Sequence, residues 1–362
     1  MIHPDSRSRE WLQQVAEENN FPNIPLIEKV VRAFSLLESL VRSGCPFVFK
    51  GGTALMLHLN SNKRVSIDID IICPPDTNIE LYLNKYAEEY GFSDIKLIER
   101  KHAHSIPKSH AKFFYQVTYT TNTDTEYILL DVLFEEIHYK KIDTLPVTSR
   151  FLKTEGEPVF VDTPSVSDLL GDKLTAFAPN TTGIPYFKGQ KSCSMEIIKQ
   201  LFDIASLFDV VNDLSIVAPI FHRFAGVELA YRNLNPTDIS SVLDDIFQTS
   251  LCICLQGLNN KENFTHLQDG IKKVQNFIHS GKYNLQWAIT DASKTAYLAT
   301  LLKYNVTAIE KYDATIDMRD WTISAPLNTK LNKLKKTNAE AFYYWYKILK
   351  KNDEITNDAK II

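Results

Sequence analysis

Across residues 23–41 the apolar side chains Ile24, Leu26, Ile27, Val30, Val31, Phe34, Leu37 and Leu40 recur every three or four positions, which predicts a helix with a buried face. PFVFK then reads as a short strand running into two glycines. The next segment, TALMLHL, is almost wholly apolar and predicts a short buried helix with Thr53 as its cap. In VSIDIDII the pattern switches to alternation, the period of a strand. A helix over Asp76 to Tyr90 and strands at DIKLIE, KFFYQVTYT, EYILLDVLF and PVFV follow, so residues 1–163 read as an α/β domain. Past Pro164 the texture changes. SVSDLLGDKLTAFA, MEIIKQLFDIASLFDVV and most of the chain from Leu214 to Tyr304 show helical periodicity with almost no strand signal, and residues 164–362 read as a mainly helical domain. Between its first two helices, PNTTGIPYFKGQKS forms a loop of about 14 residues, longer than most helix connections and suggestive of a mobile or functional element.

Composition narrows the class without choosing a function. The chain has 362 residues, 44% hydrophobic and 23% charged, as in an ordinary soluble globular protein. A net charge of −4 exerts no global pull on polyanions, so any polyanion partner must be held by a local patch. The five scattered cysteines contain no Cys-x-x-Cys pair, which argues against a disulfide framework or a zinc knuckle and for a reducing cytoplasm. MIHPDSRSRE has no apolar leader core, and no run approaches the roughly 18 apolar residues of a membrane span.

Chemistry enters through the acids. Along VSIDIDII, Val65, Ile67, Ile69 and Ile71 share one face while Ser66, Asp68 and Asp70 share the other. Neighbouring like charges destabilise a strand unless a cation lies between them. A polar face meeting water is the plain reading; Mg²⁺ or Mn²⁺ held by carboxylate oxygens is the chemical one. Asp131 bears on that choice, because it stands alone in ILLDVLF, a run that asks to be buried, where an unpaired carboxylate is costly. A metal shared by Asp68, Asp70 and Asp131 would remove the cost. Gly51 and Gly52 add a turn without Cβ atoms, where backbone N–H groups at a helix start can close on an anion, and Thr53 adds a hydroxyl.

This order of glycine turn, short helix, Asp-x-Asp strand and later acid resembles the minimal nucleotidyltransferase fold of the DNA polymerase β superfamily. Arg64 and Ser66 in RVSIDID, the segment GDKLTAFAPNTTGIPY and the helix MEIIKQLFDIASLF make the chain similar, between about Phe47 and Leu207, to the AbiEii/AbiGii family of toxin nucleotidyltransferases from abortive-infection and toxin–antitoxin systems. The resemblance implies a polymerase β-like mixed sheet with helices, followed by a helical C-terminal domain that contributes Lys173 and the Lys199/Asp203 motif to the site. Gly51, Gly52 and Thr53, with Arg64, Ser66, Lys173 and Lys199, would hold the NTP; Asp68 and Asp70 would bind the metals, with Asp131 as third acid. Lys199 and Asp203 lie in KQLFD, where many relatives carry a second acid in place of Gln200. The implied reaction moves a nucleoside monophosphate from an NTP to a hydroxyl, with tRNA the expected acceptor and a blocked 3′ end the means of arresting growth during phage defence. A cognate antitoxin encoded nearby is implied, direct contact with it is not. The competing readings are nucleotidylation of a small molecule such as an antibiotic, and a non-catalytic protein that binds RNA or a partner.

Lys173 can also be argued from its neighbours. Val166, Leu169, Leu170, Leu174 and Phe177 form an apolar stripe that Lys173 shares, so its ammonium either meets an anion or reaches out to solvent along its stem. Glu196, Lys199, Gln200, Asp203 and Ser206 form a polar stripe on the later helix, readable as a solvated face, as an intrahelical Lys199–Asp203 pair or as a wall of the site. His102, His104 and His110 invite a metal, yet no acid or cysteine lies at ligand spacing, and a solvated or substrate-brushing loop is the simpler expectation. Between Lys330 and Lys351 there are seven lysines and one glutamate. There Phe342, Trp345, Tyr346 and Leu349 have the spacing of a helix docked on a core, while Lys333, Lys335, Lys336, Lys347 and Lys350 could touch RNA phosphates.

Overall fold

Ser8 and Asn23 accept hydrogen bonds from Trp11 N and Leu26 N, and so cap the two helices that open the chain, α1 (Arg9–Glu18) and α2 (Ile24–Ser43). The computed structural model describes residues 1–59, 63–98, 108–119, 123–279 and 281–358. Helix α2 stops at Gly44, whose φ of 77° makes a left-handed cap, and it buries Val30, Val31, Phe34 and Leu37 completely.

After α2 come β1 (Val48–Lys50), α3 (Gly51–His58), β2 (Ile69–Cys73), α4 (Glu80–Leu83), β3 (Asp94–Ile98), β4 (Lys108–Gln116) and β5 (Thr125–Phe134). Their strands form one sheet in the order β1-β2-β5-β4-β3, in which β2 and β5 run parallel and every other pair antiparallel. One face of that sheet is core: Ile69, Ile71, Ala111, Phe113, Tyr115, Leu130 and Val132 are all buried and pack in one cluster with α2. Strands β6 (Ile142–Pro146) and β7 (Phe160–Pro164) pair separately. The chain divides into two units, Met1–Ser165 with Asn276–Lys282, and Val166–Gln275 with Tyr283–Ile362. Nothing in the hydrophobic pattern announces the return of residues 276–282 to the first unit. It is made by backbone pairing, with Val65 N donating to Phe277 O and His279 N to Lys63 O.

The same pairing shortens the strand expected over VSIDIDII, which begins only at Ile69: Val65 is tied to Phe277, and Asp68 O accepts the Thr53 hydroxyl at 2.6 Å. The helix expected over Asp76 to Tyr90 is reduced to the single turn of α4. Leu83, Ala87 and Tyr90 still bury, but through consecutive turns that end at Gly91, with φ of 79°.

The second unit holds α5 (Val166–Ala176), a hairpin of β8 (Phe187–Lys188) and β9 (Lys191–Ser192), then α6 (Ser194–Val210), α7 (Val217–Tyr231), α8 (Ile239–Cys254), α9 (Lys261–Val274), α10 (Leu285–Lys303), α11 (Asn328–Thr337) and α12 (Ala339–Asp358). Helix α10 is buried from Ala288 to Leu302 and packs on α8 and α12. The loop from Pro179 to Ser192 is tied down at its start. Asp245 accepts from Asn180 N, Asn180 Nδ2 and the Thr181 hydroxyl, and the Thr182 hydroxyl donates to Thr175 O. No described helix is long and apolar enough to cross a membrane.

Candidate active site

Strand register gathers the chemistry. Lys50 on β1 pairs with Asp70 on β2, Asp70 with Asp131 on β5, and Asp131 with His110 on β4. Paired residues point to the same side of a sheet, so these four form one polar row across the face opposite the core. Two acids stand in the middle with a basic residue at each end. Asp70 and Asp131 are half-buried, Asp131 retaining 34% of its side-chain exposure, while His110 is buried and its Nδ1 is hydrogen-bonded to Asp131 Oδ1. Asp68 is exposed at the head of β2, two residues before Asp70.

The structure thus brings Asp70 and Asp131 to adjacent positions and leaves Asp68 outside the paired segment. Among the described residues no three His, Cys, Asp or Glu side chains are already gathered as a metal site. The chemistry of the donors still fits a hard divalent ion. Carboxylate oxygens on neighbouring strands repel each other without a cation and suit magnesium or manganese.

The glycines are required by what lies against them. Gly51 has φ of 83°, and a Cβ there would run into Asp70 Oδ2. At Gly52 a Cβ would lie 2.6 Å from Arg64 Nη2 and 2.7 Å from Ser66 Oγ. Arg64 is buried, holds Val65 O through Nη1 and bridges to Ile278. The turn therefore packs Asp70, Arg64 and Ser66 against the first turn of α3. Thr53 does not cap that helix. Lys50 occupies the cap position, no side chain caps it, and the Thr53 hydroxyl is buried and donates to Asp68 O, so the hydroxyl is not on offer to an anion.

In the second unit the anion met by Lys173 is Asp203. Lys173 Nζ lies 2.8 Å from Asp203 Oδ2 and donates to Gln200 Oε1 at 3.2 Å, with the two charged side chains 9% and 0% exposed. Gln200 serves the same lysine as a neutral acceptor. Asp203 on α6 thus pairs with Lys173 on α5. Lys199 is half-buried on α6.

Sequence reasoning missed Lys50, and it weighed His110 only as a metal ligand in a loop with His102 and His104. The strand expected from Lys112 starts at Lys108 and takes in His110, and nothing local says that an aspartate lies opposite. His102 and His104, considered with it, lie outside the described residues. Of the candidate RNA-contacting lysines, Lys335 donates to Arg319 O and Trp321 O and Lys347 pairs with Glu310, whereas Lys333, Lys336 and Lys350 are exposed. Phe342 and Trp345 are fully buried, as a docked helix requires.

A family model described as the nucleotidyl transferase AbiEii toxin of type IV toxin–antitoxin systems matches residues 35–275, more than half of the chain. Among solved structures, a protein described as a nucleotidyltransferase from H. pylori is 14% identical, with 78% of this chain and 93% of that one covered at a TM-score of 0.39. MenT4, a nucleotidyltransferase toxin from Mycobacterium tuberculosis H37Rv, is 11% identical, with 80% and 98% covered at a TM-score of 0.40. No curated protein matches the chain.

Proposed function

The chain belongs to the AbiEii family of nucleotidyl transferase toxins of type IV toxin–antitoxin systems, and from that premise we propose that it moves a nucleoside monophosphate from an NTP to an RNA hydroxyl, at the 3′ acceptor end of tRNA, and thereby blocks translation. The observation that carries this reading is the cross-strand pairing of Asp70 with Asp131 beside the Gly51–Gly52 turn. Asp70 and Asp131, joined by Asp68, would hold Mg²⁺ or Mn²⁺. When bound, such an ion neutralises charge on the α-phosphate and on the pyrophosphate that leaves.

The chain's own groups do the rest. First-turn N–H groups at Gly51, Gly52 and Thr53, with Arg64 and Ser66, steady the triphosphate so that the attacking hydroxyl meets the α-phosphorus in line. The new bond joins that hydroxyl oxygen to the α-phosphorus as the bond to pyrophosphate breaks, and the hydroxyl proton passes to the Asp131 carboxylate. Lys173, Lys199 and Asp203 are assigned to nucleotide handling by the family pattern. Exposed Lys333, Lys336 and Lys350 would meet phosphates of the RNA backbone. A cognate antitoxin belongs to such a system, and the reading requires no direct contact with it.

The test is transfer of label from each α-labelled NTP in turn to total tRNA, bulk RNA without tRNA, or an aminoglycoside, with Mg²⁺ and either wild type or Asp68→Ala. The reading expects label on tRNA with one of the nucleotides and at least a hundredfold less with the variant. Label on the antibiotic alone, or transfer that ignores the substitution, would overturn it.

A further inference from the structure

Two basic residues, Lys50 and His110, end the row across the sheet, and His110 is hydrogen-bonded to one of its acids. We propose that His110 is a positioning residue: its Nδ1 grips one oxygen of Asp131 and so presents the other to the divalent ion, an inference that rests on the metal-binding role given to Asp131 above.

Three observations carry it. The first is register: His110 and Asp131 are directly paired on antiparallel β4 and β5, where side chains on one face sit closest, and Asp70 flanks Asp131 on the opposite side. Asp131 is therefore held between a carboxylate that repels it and an imidazole that attracts it. Burial is the second. The His110 side chain is 10% exposed against 34% for Asp131, so the ring is fixed by its surroundings while the carboxylate it grips still opens to solvent. The third is the contact itself, which engages Oδ1 and leaves Oδ2 for a ligand. A lone carboxylate on a strand swings about its terminal bond; one pinned through a single oxygen by a buried ring has its second oxygen aimed. Groups behind a ligand act on metals in this way, and removing them commonly lowers metal affinity by about 10–100-fold.

The placement of the gripping nitrogen gives a test that packing alone would not pass. In His110→Asn the side-chain amide nitrogen falls close to the position of Nδ1, whereas in His110→Gln it falls near Nε2, on the far side of the ring. Mn²⁺ alone would be titrated into the full-length wild type, both variants and Asp131→Asn, with free ion followed by electron paramagnetic resonance and the fold of each checked by circular dichroism. The proposal expects His110→Asn to bind within about threefold of wild type and His110→Gln to bind at least about tenfold more weakly, with Asp131→Asn weaker still. Equal Mn²⁺ affinity in all three His110 proteins, or tighter binding by His110→Gln, would overturn the positioning role while leaving Asp131 as a ligand. If Asp131→Asn binds like wild type, or wild type binds no Mn²⁺ at millimolar concentration, the metal role of Asp131 fails and takes the proposal with it. Should His110→Gln not fold, His110→Asn decides alone: a tenfold loss there overturns the grip at Nδ1, and retained affinity upholds it.

Discussion

The two acid-bearing regions of the molecule differ in how their charges are balanced. In the first unit Asp70 and Asp131 stand side by side on a half-open sheet face, placed by strand register with a basic residue at either end of the row. In the second, Asp203 is wholly buried against Lys173, with Gln200 completing the lysine's contacts. One arrangement lies on a half-open face that a ligand can reach. The other is a buried ion pair, in which Lys173 depends on Asp203 for its counter-charge. An open row should be expendable for folding and indispensable for chemistry, while a closed pair should matter to both.

That contrast can be broken most directly at Asp70. Asp70→Asn should lower nucleotidyl transfer roughly a thousandfold, because several kcal/mol of charge stabilisation are withdrawn, yet shift the melting temperature by no more than about 2 °C. A comparable loss of stability would mean that the row is structural. At the closed pair the pattern reverses: Asp203→Ala leaves Lys173 buried without its counter-ion and should cost about 3–5 kcal/mol in denaturant unfolding. Lys173→Met combined with Asp203→Leu should recover much of that stability while leaving transfer abolished.

Gly51→Ala sharpens the open side. With φ of 83° and Asp70 Oδ2 in the way of a Cβ, the substitution must push the carboxylate aside, and transfer should fall roughly a hundredfold, as misplacing a reacting group by about an ångström does. If transfer survives, the close approach of turn and acid serves no purpose in catalysis.

The smallest effect concerns Asp291, elsewhere in the second unit. Burial pushes its carboxyl up to about 7, with the Tyr283 hydroxyl donating to it at 2.7 Å and Lys294, Asp209 and Glu340 nearby. The folded protein therefore keeps this proton where the unfolded chain has lost it. Its stabilising contribution is complete below the ordinary value of 3.8 and drains away as pH rises to about 7. Asp291→Asn should match wild type in melting temperature near pH 4 and exceed it by on the order of 5 °C above pH 7. A gap independent of pH would show that the carboxyl is ionised throughout.

Much of the site was legible because its residues violate local expectation. Aspartates in a strand and one acid inside ILLDVLF are costly where they stand, and cost marks function more surely than composition does. What could not be read is pairing. Asp70 and Asp131 are far apart in sequence, and their alignment is fixed by a parallel register that no local pattern encodes. His110 was set aside for the same reason, since it was expected in a loop and its acid is seen only across the ladder. Thr53 was misread because a hydroxyl after a glycine turn looks like a cap, whereas here it closes the loop back to Asp68 O. For Lys173 an anion and solvent were both open, because periodicity says which face a side chain takes and not who meets it there. In the fold, the long helices of the second unit followed from their apolar stripes. The expected helix over Asp76 to Tyr90 shrank to one turn because burial of Leu83, Ala87 and Tyr90 was met by turns instead.

The central claim is that Asp70 and Asp131 share a divalent ion, and the most direct measurement is anomalous diffraction at the manganese edge from crystals soaked with Mn²⁺ and a non-hydrolysable NTP. The account predicts an anomalous peak within bonding distance of a carboxylate oxygen from each residue, lost in Asp131→Asn crystals. Nucleotide bound at the glycine turn with no peak between the two acids would contradict it.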